Sequence, residues 1–282
     1  MRERMTTRVA FQGEHGAYSE QAIWEHFGRQ VEAVPCNSFD DVFLAVENQD
    51  CEFGCIPVEN SVAGTIHRNY DLQLKFSLFV VGEHIIRISH CLIGLPDAEL
   101  DDIRKVISHP QALAQCEQFL RNLDYVQTEP VYDTAGSIKI MQELGDPQVA
   151  AIASRWAAEL YKMKILKEMI EDSLENFTRF QIISREEACP TENAKTSLVF
   201  SLQNEPGALF RAMAVFALRN IDLTKLESRP IIGKPWEYMF YIDFIGAQSE
   251  LNAQHALANL SEFASSVRVL GSYPRYERSK NS

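Results

Sequence analysis

The chain has 282 residues, 46% hydrophobic and 23% charged, a length that suits two or three domains with their own cores. Lys and Arg number 27 against 39 Asp and Glu, a formal charge of −12. That balance argues against nucleic acid and anionic membranes as partners, and an anionic ligand would need local attraction against the overall field.

Six cysteines (Cys36, Cys51, Cys55, Cys91, Cys116, Cys189) show no metal-type pairing, and most sit in apolar runs. Buried reduced thiols follow, with no metal and no cofactor expected. Residues 1–7 lack the apolar core of a signal peptide, and no stretch is long enough to cross a bilayer. These features read as a cytosolic protein.

Residues 8–12 read as a strand, Gly13-Glu14-His15-Gly16-Ala17-Tyr18-Ser19 as its exit loop and 19–27 as a helix. Two glycines between strand and helix let backbone N–H groups approach a ligand, or simply supply the dihedrals of a tight turn. A strand at 31–34 precedes a helix capped by Ser38 and running to about Asn48, with Asp41 closing a capping box. Residues 53–58 form a buried strand. The loop after it, Glu59-Asn60-Ser61-Val62-Ala63-Gly64-Thr65, gathers a carboxylate, an amide and two hydroxyls at one strand end. Ligand contact and helix capping account for these residues about equally well.

Residues 78–95 read as one long extended run crossing between two lobes, with His84 and His90 as hydrogen-bonded core or hinge histidines. A second set of β/α units follows. A strand at 105–107 leads through Ser108-His109-Pro110-Gln111 into a helix at 112–123, with Pro110 at its first turn. A strand at 125–131 leads through Asp133-Thr134-Ala135-Gly136-Ser137 into a helix ending at Leu144; a strand at 149–152 and a helix at 154–163 complete the set. Helix starts near Ser19, Ser61, Gln111 and Thr134 follow strand ends. In α/β sheets the ligand crevice lies there, and helix N-termini attract carboxylates without a surplus of Lys or Arg.

Asn176-Phe177-Thr178-Arg179-Phe180 joins a helical, Lys- and Met-rich segment to a strand at 180–184. A hydroxyl donor and a guanidinium stand side by side between two aromatic rings, which suits an anionic substrate losing a hydroxyl group; from these five residues alone, a Thr at a strand start and an Arg reaching solvent is the favoured reading. The polar, Pro-containing stretch 185–193 reads as a domain boundary. Strands at 195–202, 222–229, 236–244 and 267–273 with helices at 207–219 and 251–263 make a small α+β sandwich. It carries no nucleophile–base set and reads as a binding and assembly module. Gly207 at a helix start and Glu227-Ser228-Arg229 on a strand could receive a zwitterion; a surface cross-strand ion pair is the simpler alternative.

Taken together, Gly13-x-x-Gly16-x-Tyr18-Ser19, Pro57-Val58-Glu59-Asn60-Ser61-x-x-Gly64, Ser108-His109-Pro110-Gln111-Ala112, Asp133-Thr134-Ala135 and Thr178-Arg179-Phe180 resemble the prephenate dehydratase family, and the closely similar arogenate dehydratases. Gly207-Ala208-Leu209 and Glu227-Ser228-Arg229-Pro230 resemble the phenylalanine-binding motifs of a regulatory ACT domain. The resemblance covers the chain from Arg8 to about Tyr276. Gln73 is a small departure, where a second Leu would be expected.

The resemblance implies an α/β catalytic domain at 1–185, built of two lobes like a periplasmic binding protein with the second at about 82–165. A linker at 186–194 and an α+β ACT domain (βαββαβ) at 195–282 would follow. It implies conversion of prephenate to phenylpyruvate in phenylalanine biosynthesis, with Thr178, Arg179 and Phe180 catalytic. Substrate would contact Glu59, Asn60, Ser61, Ser108, His109, Gln111, Asp133, Thr134 and Ala135. Ser61, Ser108, Gln111 and Thr134 would hold the carboxylates and side-chain carbonyl, and Arg179 would pair with substrate or brace the loop through Glu59. Allosteric L-phenylalanine would bind Asn204, Gly207, Ala208, Leu209, Phe210, Glu227, Ser228 and Arg229, in a homodimer or homotetramer joined by ACT domains. A chorismate mutase domain, fused ahead in some relatives, is not expected. The alternatives are arogenate as substrate, or a non-catalytic amino-acid or anion sensor.

Overall fold

The computed structural model describes residues 6–277 except 124, 191, 232 and 235. By backbone contacts the chain divides into two compact units. One runs through Phe76 and resumes at His84–Gln181; the other joins Ser77–Glu83 to the chain from Ile182 onward.

The first unit begins with β1 (Arg8–Gln12), α1 (Tyr18–Phe27), β2 (Glu32–Cys36), α2 (Phe39–Glu47), β3 (Phe53–Asn60), β4 (Gly64–Thr65) and α3 (His67–Lys75). β5 (Phe79–Arg87) then leads to a second lobe, made of β6 (Cys91–Gly94), β7 (Lys105–Ser108), α4 (Pro110–Gln115), α5 (Glu117–Arg121), β8 (Gln127–Pro130), α6 (Gly136–Leu144), β9 (Val149–Ala153), α7 (Arg155–Tyr161) and β10 (Lys164–Lys167). β11 (Phe177–Ser184) returns to the first lobe. The first sheet has the order β2-β1-β3-β11-β5, with β4 on β3; the second has the order β10-β6-β9-β7-β8. β1 is parallel to β2 and β3, and β7 is parallel to β8 and β9, so helix starts collect at the carboxyl ends of these strands. β9, Val-Ala-Ala-Ile-Ala, is buried at every residue, as a strand covered on both faces must be.

The Ser38 capping box is present. Its Oγ accepts from Asp41 N at 3.2 Å and donates to Asp41 Oδ2 at 2.7 Å. Elsewhere local pattern gave way to tertiary contacts. The single run at 78–95 breaks at Ile88-Ser89-His90. There Ile88 N donates to Asn176 O at 2.7 Å and His90 N to Glu171 Oε2 at 2.9 Å, which takes those amides out of a ladder. The helix expected at 112–123 starts earlier, at Pro110, and is interrupted at Cys116. The strand expected at 125–131 shrinks to Gln127–Pro130, since Tyr125 has φ 60°.

The segment before Asn176 is not helical. Lys162, at φ 56°, ends α7, and the chain then pairs as β10 with β6. No helix starts near Ser61 either: a turn leads to β4, and the next helix is α3. That helix escaped the periodicity because it buries amides as well as Tyr70 and Leu72. Asn69 Nδ2 donates to Pro57 O at 2.7 Å, and Gln73 Nε2 to Gln181 Oε1 at 2.6 Å. Gln73 is therefore a buried hydrogen-bonding residue.

The second unit contains β12 (Ala194–Leu202), α8 (Ala208–Ala217), β13 (Leu223–Pro230), β14 (Tyr238–Ile245), α9 (Leu251–Ser261) and β15 (Ser266–Pro274). Its antiparallel sheet has the order β13-β14-β12-β15. The core gathers Leu198, Phe200, Ala212, Phe216, Ile242, Phe244 and Leu260. Segment 77–83 closes against it. A Cβ at Gly271 would meet Val80 O at 2.0 Å, so glycine is required for that approach. Lys195 Nζ meets both Glu83 oxygens at 2.7 and 2.8 Å, with both side chains buried.

Candidate functional site

Within the first unit, the strand ends of both lobes face a cavity of about 530 Å³. The first lobe contributes Gln12, Tyr18, Ser38, Asn60, Thr178 and Phe180; the second contributes His109, Gln111, Asp133, Thr134, Ala135 and Ser154. Eight of the twelve expected catalytic and substrate residues therefore meet here. The remaining four, Glu59, Ser61, Ser108 and Arg179, do not line the cavity.

Strand alternation explains part of that division. Thr178 and Phe180 on β11 face the cavity, and Arg179 between them points to the other side. Its Nη1 lies 4.0 Å from Glu59 Oε2, with the Arg179 side chain only 10% exposed. The two serines are engaged elsewhere. Ser61 Oγ donates to Glu175 O at 2.6 Å and accepts from Phe177 N at 2.9 Å, so it fastens the start of β11. Ser108 is fully buried, and its Oγ donates to Ile152 O at 2.7 Å. Both hydroxyls serve the backbone because they sit where a strand must be tied to its neighbours.

Thr178 is buried, and its Oγ1 accepts from Asn60 Nδ2 at 3.0 Å. The orientation of that amide is forced. Val62 N and Ala63 N donate to Asn60 Oδ1 at 3.1 and 2.8 Å, so the oxygen must face the turn and the NH₂ must face Thr178. Thr178 cannot donate back to an NH₂ group. Among the described residues its hydroxyl has no other partner, and its single proton is left for whatever occupies the cavity.

In the second lobe, His109 Nδ1 accepts from Gln111 N at 3.2 Å at the start of α4. Burial lowers the His109 pKa, and the nearby Asp133 charge partly opposes this. Asp133 Oδ1 accepts from Gly136 N at 2.7 Å at the start of α6. Burial raises its pKa, and the Gly136 amide partly offsets this. Thr134 and Ala135 lie between that carboxyl and the helix start, where the helix dipole favours an anion.

Sequence reasoning gave no role to several lining residues. Among the described residues Arg68, on the unforeseen α3, is the one Lys or Arg lining the cavity, and its Nη2 pairs with Asp40 Oδ2 at 2.6 Å. His90 bonds Tyr18 Oη through Nδ1 at 3.0 Å and Gln115 Oε1 through Nε2 at 3.0 Å; Gln115 Nε2 reaches Asn60 Oδ1 at 3.4 Å. Burial lowers the pKa of His90 and raises that of Tyr18. The Tyr18 motif and the hinge position of His90 were signals for these two. Arg68 had none beyond an unassigned polar stretch.

In the second unit, Gly207 has φ 78° and opens α8, with Leu209 and Phe210 exposed on that helix. Glu227 and Arg229 share one face of β13, and Ser228 lies on the other. Ala208 lines a cavity of about 430 Å³ with Arg211 and Phe263; the other expected effector residues, Asn204 included, are not part of its lining.

The family model described as Prephenate dehydratase matches residues 9–188, and the ACT domain model matches 196–262. An Arabidopsis thaliana chloroplastic arogenate dehydratase/prephenate dehydratase is 47% identical over 280 residues, covering 95% of this chain and 72% of the relative. The solved prephenate dehydratase of Arthrobacter aurescens, in complex with L-Phe, has a TM-score of 0.88 at 30% identity, covering 95% of this chain and 90% of that one. A protein described as a novel type of quorum quenching acylase also has a TM-score of 0.88, at 35% identity, covering 95% and 98%. The cytosolic expectation is corrected. Six Arabidopsis thaliana relatives at 44–47% identity are chloroplastic by name, which goes against that expectation.

Proposed function

This chain belongs to the prephenate dehydratase family, a family of carbon–oxygen lyases, and on that premise we propose that it converts prephenate to phenylpyruvate with Thr178 assisting departure of the ring hydroxyl. The observation that carries the reading is the Asn60–Thr178 hydrogen bond, which leaves the Thr178 proton for the cavity. In the reaction the ring C–CO₂⁻ bond breaks, its electron pair enters the ring, and the C–OH bond leaves with its own pair. A proton delivered to that oxygen makes water. A neutral hydroxyl can hydrogen-bond to the departing oxygen without titrating near pH 7, and such assistance is typically worth ~10²–10⁴-fold.

The residues divide the remaining work. The N-terminal turn of α6, with Thr134, and Gln111 at α4 receive the side-chain carboxylate and carbonyl. Arg68 supplies a positive charge to an otherwise acidic chain. Pro57, Ile66, Ile88 and Phe180 give apolar walls that disfavour a solvated carboxylate, so loss of carbon dioxide relieves an unfavourable contact. Arg179 and Glu59 hold the strand that presents Thr178. Release of phenylpyruvate, followed spectrophotometrically, tests the reading; a folded chain that turns over neither prephenate nor arogenate would be a sensor instead.

A second reading has its own support: curated relatives at 44–47% identity carry the name arogenate dehydratase, two of them in Petunia hybrida. Arogenate differs from prephenate by an amino group in place of the keto oxygen. Comparing kcat/KM for the two substrates side by side decides between them.

The C-terminal unit is read as a site for L-phenylalanine that works in a homo-oligomer. Phe210 at 77% and Leu226 at 48% exposure leave apolar surface for a second ACT domain to cover. A coupling of ~1–3 kcal/mol would give useful feedback. Saturating L-phenylalanine should lower turnover and raise Tm, and no change in either would remove the regulatory assignment.

A further inference from the structure

A second cavity of about 500 Å³ lies in the first unit against both connections between the lobes. Arg87 and Ser89 reach it from the outgoing connection, and Glu168 and Met169 from the returning one. α1 supplies Trp24 and α7 supplies Trp156, whose rings meet edge to face at 4.9 Å. The Arg29 guanidinium lies over both indoles, 5.3 Å from one centroid and 5.1 Å from the other. Both indoles lie to the same side of the Arg29 Cζ, and among the described residues its N–H groups have no hydrogen-bond acceptor.

Most charges around this cavity are answered locally. Arg87 pairs with Glu171 at 3.1 Å, Arg155 with Glu168, and Glu25 with His84 at 3.1 Å. Two are not. Among the described residues Arg29 and Glu159 have no ion-pair partner, and both line the cavity. Beside them lie the two indoles and Met169, which is 60% exposed and held at φ 51°. One unanswered cation, one unanswered anion and an apolar wall are complementary to a small zwitterion with an apolar tail.

We propose that this cavity binds an α-amino acid with an apolar side chain, its carboxylate on Arg29, its ammonium on Glu159 and its tail against Trp24, Trp156 and Met169. Nothing in this assignment depends on the C-terminal unit or on the dehydratase reaction. It does bear on the large cavity, because Tyr18 and Ser154 line both. A ligand that favours one lobe arrangement at the back of the hinge must bias substrate affinity at the front, and substrate must bias it by the same factor.

The chain has three tryptophans, so Trp236→Phe leaves Trp24 and Trp156 as the only indoles. L-Norleucine titrated into that full-length variant should change their fluorescence saturably. Hexanoate lacks the ammonium and pentylamine lacks the carboxylate, so each should bind about tenfold more weakly, one lost charge contact being worth roughly 1.4 kcal/mol. Arg29→Met and Glu159→Gln, with melting and far-UV dichroism to verify folding, should weaken norleucine by about the same factor and leave basal kcat/KM within about twofold. Glu159 is exposed, so Glu159→Gln carries the test alone if Arg29→Met fails to fold. The proposal is overturned by the absence of a saturable response, by parent-like norleucine affinity in a folded variant, or by hexanoate binding as well as norleucine. A chain with no dehydratase activity would leave this result untouched.

Discussion

Asn60 donates to Thr178 Oγ1 at 3.0 Å across 118 positions of sequence, and two backbone amides of the turn after β3 prevent the amide from facing the other way. A hydroxyl so held accepts on one side and has one proton to give on the other. The relation converts a buried threonine from a neutral packing residue into a directed donor.

Thr178→Ala should lower kcat by roughly two orders of magnitude or more, since removing a preorganised donor costs on the order of 3 kcal/mol. Thr178→Ser keeps the hydroxyl and should recover most of the activity. Steady-state kinetics on purified protein of unchanged melting temperature decide it; near-normal turnover of the alanine variant refutes the donor role.

Asn60→Asp should lower kcat, and because it also sets carboxylate oxygens against Asn176 Oδ1 and Phe177 O, its melting temperature is measured alongside. The carboxylate can still accept from the turn amides, but it offers no N–H to Thr178, whose proton then turns toward it. A loss of about 10–10² in kcat is expected, comparable with other lost donor contacts in active sites. A variant with parental kcat would show that the orientation of the hydroxyl does not matter.

Arg68→Met should raise KM and leave kcat close to parental, because Arg68 supplies charge at the cavity wall and does not touch Thr178. It is 60% exposed, so a change of roughly threefold to tenfold in KM is reasonable for a screened contact. The effect should shrink as ionic strength rises. A KM insensitive to both the substitution and salt would place substrate away from α3.

Lys195→Met should destabilise the C-terminal unit by roughly 3–5 kcal/mol, since it removes the ammonium that faces the buried Glu83 carboxylate. Tyr276 N, which donates to Glu83 Oε1 at 3.0 Å, cannot compensate a missing charge. Adding Glu83→Gln should return much of the loss, and thermal melts of the single and double variants measure it. Equal melting temperatures for Lys195→Met and the parent would show that the pair contributes nothing.

Acid should destabilise the fold through its buried imidazoles. Burial lowers the pKa of His90 and of His109 below the ordinary value of about 6.5. The unfolded chain therefore binds protons that the folded chain does not, and stability falls as pH drops below about 6.5. His90→Gln should flatten the fall in Tm between about pH 6.5 and 5. An unchanged slope would assign the acid sensitivity to other groups.

The sequence by itself determined most strands and helices of both lobes, though not α3, β4 or β10, together with the Ser38 cap, the α+β tail and the motifs that assemble around the cavity. These features are local. Hydrophobic period, capping chemistry and Gly or Pro at turns act within a few residues, so they survive reading one stretch at a time. Only the tertiary structure decided what each polar side chain does. Ser61 and Ser108 look like ligand-binding hydroxyls in their motifs, yet they tie backbone to backbone. Arg68 carries no motif, yet it lines the cavity together with its partner Asp40. Asn60 and Thr178 acquire their relation when β11 inserts beside β3. Hydrogen bonds and ion pairs are satisfied between residues remote in sequence, and the partner a side chain finds depends on which strand ends the completed sheets bring together.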